Sequence, residues 1–446
     1  MKVELIHPPH PNSTDDRLDP PLGLLMIAAH LRKAVPDVDV RVNDMSGLTS
    51  FTIGKADLYG ITSYCTSMNF VEPLCREIRR VSPKAKIVVG GANPSAMPEG
   101  YLFADHVVIG AGETPMAELA TGKQFHRIIK SDGKVDAGIY PAFDLVDVFS
   151  YHRVVDGEKS VPLLTARGCP YHCAFCGLDM MHKLDGNKKI ATPEQVRDMI
   201  KRVIDEYGIR AFNFQDDIFT LNKKRLFPIL DLIGPLGITF RCLGKAGPDT
   251  EEVYRRLADA GCRQVAWGIE SGSPYILDRM IKGAKIKDNY NVIEWAKKYG
   301  IVSRAFFVIG FPGETADTLE ETRKFIVDAD PDQYFVSNFV PYPGTPVWDN
   351  PEKYGITWMS RDFDQYYQVG KDGTGGLTVD TLWLSRAEFR ILEVAFRTWL
   401  KENKPRRGCL LDYEKKMERE PAKHEVKHRH TDVYPISVET MSGVYC

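Results

Sequence analysis

A chain of 446 residues exceeds what one hydrophobic core ordinarily organises, so its length predicts two or three domains. A composition 43% hydrophobic and 26% charged is that of a soluble globular protein, and a formal net charge of -2 excludes broad attraction to nucleic acid, leaving no clear nucleic-acid site. No apolar run reaches membrane-spanning length, the first residues enter a strand pattern at once, and nine cysteines give no even disulfide framework, so the expected location is the reducing cytoplasm.

Val3–His7 reads as a strand leading through a proline-rich loop into a helix over 22–33, with Leu24, Leu25, Ile27, Ala28 and Leu31 as its apolar face. Further strands are predicted over 38–43, 58–64, 86–90 and 106–109, with a helix over 72–81. Five strands with crossover helices make a doubly wound, Rossmann-like α/β domain over 1–125. Ligands of such sheets lie beyond the C-terminal strand ends. The loops there carry Pro8-Pro9-His10, the run Thr62 to Ser67, Gly90-Gly91-Ala92-Asn93-Pro94-Ser95 and Gly110-Ala111-Gly112-Glu113. Glycines and small hydroxyl residues let a bulky ligand approach the backbone. His7 and His10 lie near the first strand end, where a loop histidine more often bonds a neighbour than a metal. Cys65 reads as a small buried thiol.

A mixed stretch over 126–158 reads as a packed connector. Beyond it, strands are predicted over 161–166, 210–215, 237–242, 263–269, 302–309 and 333–340. Helices alternate with them over 193–206, 222–233, 250–260, 288–299 and 315–328, opened by cap-like Thr192, Asn222, Asp249 and Thr315. Six units suggest a partial (β/α)6 barrel over 159–350, with function at the C-terminal strand ends. After the first of these strands, Cys169, Cys173 and Cys176 stand in the spacing C-x3-C-x2-C. Three thiolates on one loop can hold three irons of a [4Fe-4S] cluster and leave the fourth iron open. A zinc knuckle is the alternative, but it lacks a fourth ligand nearby.

This spacing, with Gly168, Pro170 and Phe175 around it, resembles the signature of the radical SAM enzymes, whose open iron binds S-adenosylmethionine (SAM). The resemblance implies SAM-facing roles at the other strand ends. Glu270, followed by small Ser271 and Gly272, would accept from ribose hydroxyls. Gln215 and Asp216 would receive the methionine ammonium, and Lys245 its carboxylate. Gly310 and Gly313 would let adenine lie against the chain, with Phe175 packing on it. The G-G-E motif that many such enzymes use for the amine is absent, and Gln215-Asp216-Asp217 stands in its place.

Pro-Pro-Leu-Gly-Leu at 20–24, Val-Val-Gly-Gly at 88–91, Gly-Ile-Glu-Ser-Gly at 268–272, Gly-Phe-Pro-Gly-Glu-Thr at 310–315 and Pro-Gly-Thr-Pro at 343–346 extend the likeness. Together they resemble the radical SAM enzymes that carry an N-terminal cobalamin-binding domain, both the methylases and the anaerobic magnesium-protoporphyrin ester cyclases. The resemblance implies cobalamin near His10, Thr62, Ser63, Tyr64, Gly90, Gly91, Gly110, Gly112 and Glu113. The D-x-H-x-x-G motif that supplies a cobalt ligand elsewhere is absent, so either cobalt has no histidine ligand here or the domain has lost cobalamin.

Past 350 the repeat stops. Aromatic residues precede the glycine-rich stretch 370–376, which lacks the P-loop order. A helix over 385–402 should pack on the barrel, and a charged tail with Lys423 to His430 completes a small, mainly helical region over 351–446. The expected function is cobalamin-dependent radical SAM methylation of a small-molecule or peptide substrate, with a flavodoxin or ferredoxin as electron donor. The rivals are a cobalamin-linked radical cyclisation and a non-catalytic cobalamin or redox sensor.

Overall fold

The computed structural model describes residues 1–404 except 11, 12, 14, 49, 186–188, 371 and 372, together with the backbone of 433–437. The predicted histidine-rich tail at 423–430 lies outside the described residues.

Alternating apolar strands and amphipathic helices build the first domain in the order β1 (Lys2–His7), α1 (Leu22–Ala34), β2 (Asp39–Asp44), β3 (Ser50–Gly54), β4 (Leu58–Thr62), α2 (Met68–Val81), β5 (Lys86–Gly90), α3 (Ala92–Ala96), β6 (His106–Ile109), α4 (Glu113–Ala120) and β7 (Ile128–Lys130). Among the described residues, six of these strands form one parallel sheet in the order β2-β1-β4-β5-β6-β7. Four features escaped the sequence reading. Helices α3 and α4 begin in or directly after the stretches read as loops, the edge strand β7 falls inside the stretch read as connector, and β3 leaves the main sheet to pair antiparallel with β19 (Val433–Ser437). The strand order reverses between β1 and β4, which places the ligand crevice beyond His7 and Thr62.

The barrel domain begins with the hairpin β8 (Val154–Val155) and β9 (Glu158–Leu163), followed by the short pair β10 (Ala166–Arg167) and β11 (Lys189–Ile190) on either side of α5 (Leu178–Asp185). The repeat then runs α6 (Pro193–Tyr207), β12 (Ala211–Phe214), α7 (Lys223–Ile233), β13 (Thr239–Gly244), α8 (Glu251–Asp259), β14 (Cys262–Glu270), α9 (Pro274–Arg279), α10 (Ile286–Lys298), β15 (Val302–Ile309), α11 (Ala316–Ala329) and β16 (Gln333–Asn338). The sheet order β16-β15-β14-β13-β12-β9-β8 holds the six expected parallel strands, with β8 added antiparallel at the edge. Thr192, Asn222 and Thr315 cap their helices through side-chain oxygens as expected. Asp249 does not: Thr250 is the N-cap of α8, and Asp249 accepts the Tyr254 hydroxyl at 2.7 Å instead.

After β16 come α12 (Pro346–Asp349), the antiparallel pair β17 (Ile356–Met359) and β18 (Val379–Thr381), and α13 (Arg386–Asn403). The last helix docks on the barrel by Arg397, which donates to the Val336 carbonyl at 3.0 Å and to Asn338 Oδ1 at 2.9 Å. Its buried Glu393 takes Arg390, Arg397 and the Gly375 N–H.

Helix α1 ties the two domains together because it is apolar on two sides. Leu24, Ala28 and Leu31 belong to the core under its own sheet, while Leu22, Leu25 and Met26 join the barrel core with Phe143 of the connector. A helix hydrophobic on both flanks must be covered on both.

Candidate active site

The cysteine loop leaves β9 and is fastened at its root. Asp216, at the end of β12, is 1% exposed and accepts both the N–H and the hydroxyl of Thr165 at 2.6 Å. Arg225 of α7 compensates that carboxylate at 3.7 Å and donates to the Thr165 carbonyl at 2.9 Å. Asp217 accepts the Gly168 N–H at 2.9 Å, where the backbone turns through a left-handed φ of +96°. The assignment of Asp216 to a ligand ammonium is therefore corrected: burial and the Thr165–Arg225 network commit its oxygens to the loop. Gln215, next to it, stays half-buried at the strand end.

Further along, the Ala174 N–H donates to the Met280 carbonyl at 2.9 Å, and the Cys176 N–H to the Cys173 carbonyl at 3.1 Å. Cys173 is buried, Cys169 and Cys176 are half-buried, and all three are free thiols. Burial raises all three, Cys176 to about 12, and the other loop cysteines add to the shift in Cys176. The Lys282 and Lys245 ammonium groups act in the opposite sense on Cys173. Thiolates so placed need a cation to share their charge, and three soft donors on one loop fit an iron–sulfur cluster. Among the described residues no three His, Cys, Asp or Glu side chains close tightly enough for a single metal ion. Each cluster thiolate binds a different iron and requires no such closure.

Glu270 ends β14 in a left-handed conformation, φ +65°, and pairs with half-buried Lys282 at 2.6 Å. A non-glycine residue held there is strained by about 1–2 kcal/mol, and the ion pair helps to hold it. Gly268 explains itself on the same geometry, since a Cβ would stand 2.1 Å from Glu270 Oε1 and 2.7 Å from Lys282 Nζ. Lys282 lies outside every strand-end string, so sequence reasoning missed it; an Ile281-Lys282-Gly283 turn carries no periodic signal. Lys245 is buried, donates to the Lys282 carbonyl at 2.8 Å and lies over the Tyr171 ring at 4.3 Å.

Two other expected SAM residues are occupied by the fold. Ser271 meets Thr322 Oγ1 at 3.1 Å and accepts the Ser273 N–H at 3.0 Å, which docks the strand end on α11. Gly310 is left-handed, φ +78°, but the space beside it is filled: a Cβ there would stand 2.5 Å from the Phe389 ring of α13. Phe175 is half-buried and edge-on to Phe311, with ring centroids 6.4 Å apart.

Across from these strand ends lies the reversal point of the first sheet. His7 Nδ1 is 3.2 Å from Asp44 Oδ1, and Asp44 Oδ2 accepts the Tyr151 hydroxyl at 2.7 Å. His10 is bonded to Thr66 Oγ1 at 2.9 Å; burial, then the neighbouring His7, lowers it to about 4 and keeps it neutral. The Tyr64 ring lies 5.5 Å from that of His10 and is 46% exposed. Thr62 is half-buried at the end of β4. Gly90 accepts the Ser63 N–H at 2.8 Å, and Gly91, φ +114°, has no room for a Cβ, which would meet the Ser63 carbonyl at 2.7 Å. Gly110, φ +87°, donates to Ser95. Neutral rings and tight glycine turns are donor chemistry that fits a large, weakly charged macrocycle such as cobalamin.

Three further expected cobalamin residues make close contacts within the protein. Ser63 is fully buried against the Tyr101 hydroxyl at 2.8 Å. Gly112 makes room for Ile27 of α1. Glu113, 3% exposed, accepts from Arg167 at 2.5 Å. Arg167 stands two residues before Cys169, so this pair joins the first domain to the root of the cysteine loop.

Residues 163–326 match the family model of the Radical SAM superfamily, and residues 19–120 match that of the B12 binding domain. Over 386 residues the chain is 30% identical to an uncharacterized methyltransferase of Pyrococcus horikoshii, covering 78% of this chain and 83% of the relative. The chain belongs to the radical SAM superfamily. It is an enzyme of the branch that carries a B12 binding domain, and its cofactors are SAM, a [4Fe-4S] cluster and cobalamin. A second relative is the anaerobic magnesium-protoporphyrin IX monomethyl ester cyclase of Rubrivivax gelatinosus, 26% identical over 82% of this chain and 72% of that one. Among solved structures, the radical SAM methyltransferase TsrM of Kitasatospora setae superposes with a TM-score of 0.64 at 18% identity, covering 89% of each chain. The cobalamin-dependent radical SAM enzyme OxsB superposes with a TM-score of 0.66 at 16% identity, over 95% of this chain and 69% of that one. These two likenesses establish a shared architecture, with a cobalamin-type sheet set before a partial barrel. Among the described residues no helix is long and apolar enough to cross a membrane.

Proposed function

We propose that this radical SAM enzyme is a cobalamin-dependent methyltransferase acting on a small-molecule or peptide substrate. The observation that carries the reading is the apposition of two ligand faces. The cysteine loop and the reversal point of the first sheet are held together by α1 and by the Glu113–Arg167 pair at 2.5 Å. When bound, the cluster and SAM supply a 5′-deoxyadenosyl radical, and cobalamin supplies the methyl group.

The protein's own residues hold and orient. Cys169, Cys173 and Cys176 ligate the cluster, with Lys245 and Lys282 offsetting its negative charge. Glu270 keeps Oε2 for a ribose hydroxyl while Oε1 is tied to Lys282. Lys245 has ammonium hydrogens left for a carboxylate after one donates to the Lys282 carbonyl. Gln215 is the remaining polar group for the methionine amine. Phe175, Phe311 and Phe339 form an aromatic wall that excludes water from this side. His10, Thr62, Tyr64, Gly90, Gly91 and Gly110 line the cobalamin side. The functional division follows 1–125, 126–158, 159–350 and 351–446 in order, except that Ile128–Lys130 joins the first unit and Val154–Val155 with Glu158 joins the barrel; a flavodoxin or ferredoxin delivers the electron, and the cell compartment is the cytoplasm.

Anaerobic turnover with a strong reductant tests the reading. Methyl transfer yields S-adenosylhomocysteine beside 5′-deoxyadenosine. Formation of 5′-deoxyadenosine alone would favour the second reading, a radical cyclase, which the 26% identity to the ester cyclase keeps in view.

A further inference from the structure

The barrel interior carries charge that the cofactor roles leave unused. Along β13, Phe240 and Cys242 point into the helix-covered core, so Arg241 and Leu243 face the lumen below Lys245. The same alternation turns Ala305 and Phe307 of β15 outward and Arg304 and Phe306 inward. Phe335 of β16 lies opposite Phe306, with ring centroids 6.1 Å apart. Leu243, Phe306 and Phe335 are only half-buried, so solvent reaches this lumen.

Arg241 is 8% exposed, its Nε is enclosed, and among the described residues no acceptor hydrogen-bonds its guanidinium. Its charged surroundings make matters worse: Arg153 and Arg304 repel it, and Asp19 is the acidic neighbour. Asp19 is already engaged, taking Arg153 at 2.7 and 3.0 Å and the Asn213 amide at 3.4 Å. Burial, then the two arginines, lower Arg241 to about 9, which still leaves it charged at neutral pH. A buried guanidinium without a partner is strongly unfavourable, and its fork of donors matches an oxyanion.

We propose that Arg241, with Arg304 above it, anchors the oxyanion of the substrate, a carboxylate or phosphate ester whose apolar body lies against Leu243, Phe306 and Phe335. This deepens the methyltransferase reading and rests on it for the word substrate. Four strand residues separate Arg241 from the level of Lys245, roughly 13 Å. The molecule therefore reaches from an anchored end up to the cofactor level, and a compact anion would be held out of reach.

The test uses the holoenzyme, reconstituted with cluster and cobalamin and titrated calorimetrically with hexanoate, hexyl phosphate and neutral hexanamide at constant ionic strength. Saturable binding of hexanoate or hexyl phosphate, at least tenfold tighter than hexanamide, is the expected result, and the tighter of the two assigns the head group. Arg241→Met lowers that affinity ten- to a hundredfold and raises the anion-free melting temperature, because an unpaired buried charge is removed. Arg241→Lys keeps the charge without the fork and falls between; it serves as the deciding variant should the Met form not fold. Equal binding of anion and amide to the native protein overturns the proposal. So does full anion affinity in the Lys and Met variants, or a Met variant that melts below the native protein without anion. Methyl transfer is read separately as S-adenosylhomocysteine, so failure of the methyltransferase reading leaves the binding result intact.

Discussion

The Glu113–Arg167 pair offers a quantitative test of how the two domains communicate. Exposed ion pairs contribute about 0–1 kcal/mol, whereas breaking a fully buried one costs about 3–5 kcal/mol. Glu113 is 3% exposed and Arg167 22%, so the pair lies between these limits, at about 2 kcal/mol of coupling. The perturbation is a double-mutant cycle of Glu113→Gln, Arg167→Met and the double variant. Global unfolding does not isolate the opening of one loop at a domain junction. Hydrogen exchange of the peptide covering 165–176 measures local opening instead. Each single variant should speed exchange of those amides roughly 30-fold, and the double variant should add little more. A coupling below about 0.5 kcal/mol would place the pair among surface bridges and refute the view that it fixes the cysteine loop to the first domain.

Other predictions follow from the same structure. Cys173→Ala should abolish the visible cluster absorption and SAM cleavage together while leaving the far-ultraviolet dichroism unchanged; surviving cleavage would refute the cluster assignment. Burial raises Glu314, 2% exposed, to about 7, so between the ordinary carboxyl range and neutrality the folded state holds a proton the unfolded chain has lost, and stability falls as pH rises through that window. Glu4 is raised to about 7 and Asp249 to about 6 by burial in the same way, so Glu314→Gln should make that slope shallower without abolishing it in urea titrations, and an unchanged slope would sink the argument. Gly310→Ala should cost about 1–2 kcal/mol for its left-handed backbone and more for the Phe389 clash. Adding Phe389→Ala should recover only the clash, read as a partial return of the melting temperature.

The periodic part of the fold was legible because alternation and capping are local. The six barrel strands, their helices and three of four caps follow from residue patterns within a few turns. Strands such as Ile128–Lys130 and Val154–Val155 were not, since two or three residues show no period and gain their pairing from a neighbouring sheet edge. In the site, the cysteines announce themselves by spacing. Asp216, Ser271, Gly310 and Glu113 were placed at the correct strand ends, but which way a side chain turns depends on distant partners: Thr165, Thr322, Phe389 and Arg167. Lys282 and Asp19 act from irregular loops, where sequence pattern carries no information about charge pairing.

Strand β3 and its partner β19 are separated by nearly the whole chain, since Ser50 pairs with Ser437. During synthesis the first domain therefore leaves the ribosome with the β3 edge unsatisfied, and that edge includes apolar Phe51 and Ile53. Until residues 433–437 have been made, another nascent chain can take their place. A truncation in the tail would accordingly show itself as association between copies at low temperature and high expression, before any loss of catalysis is seen.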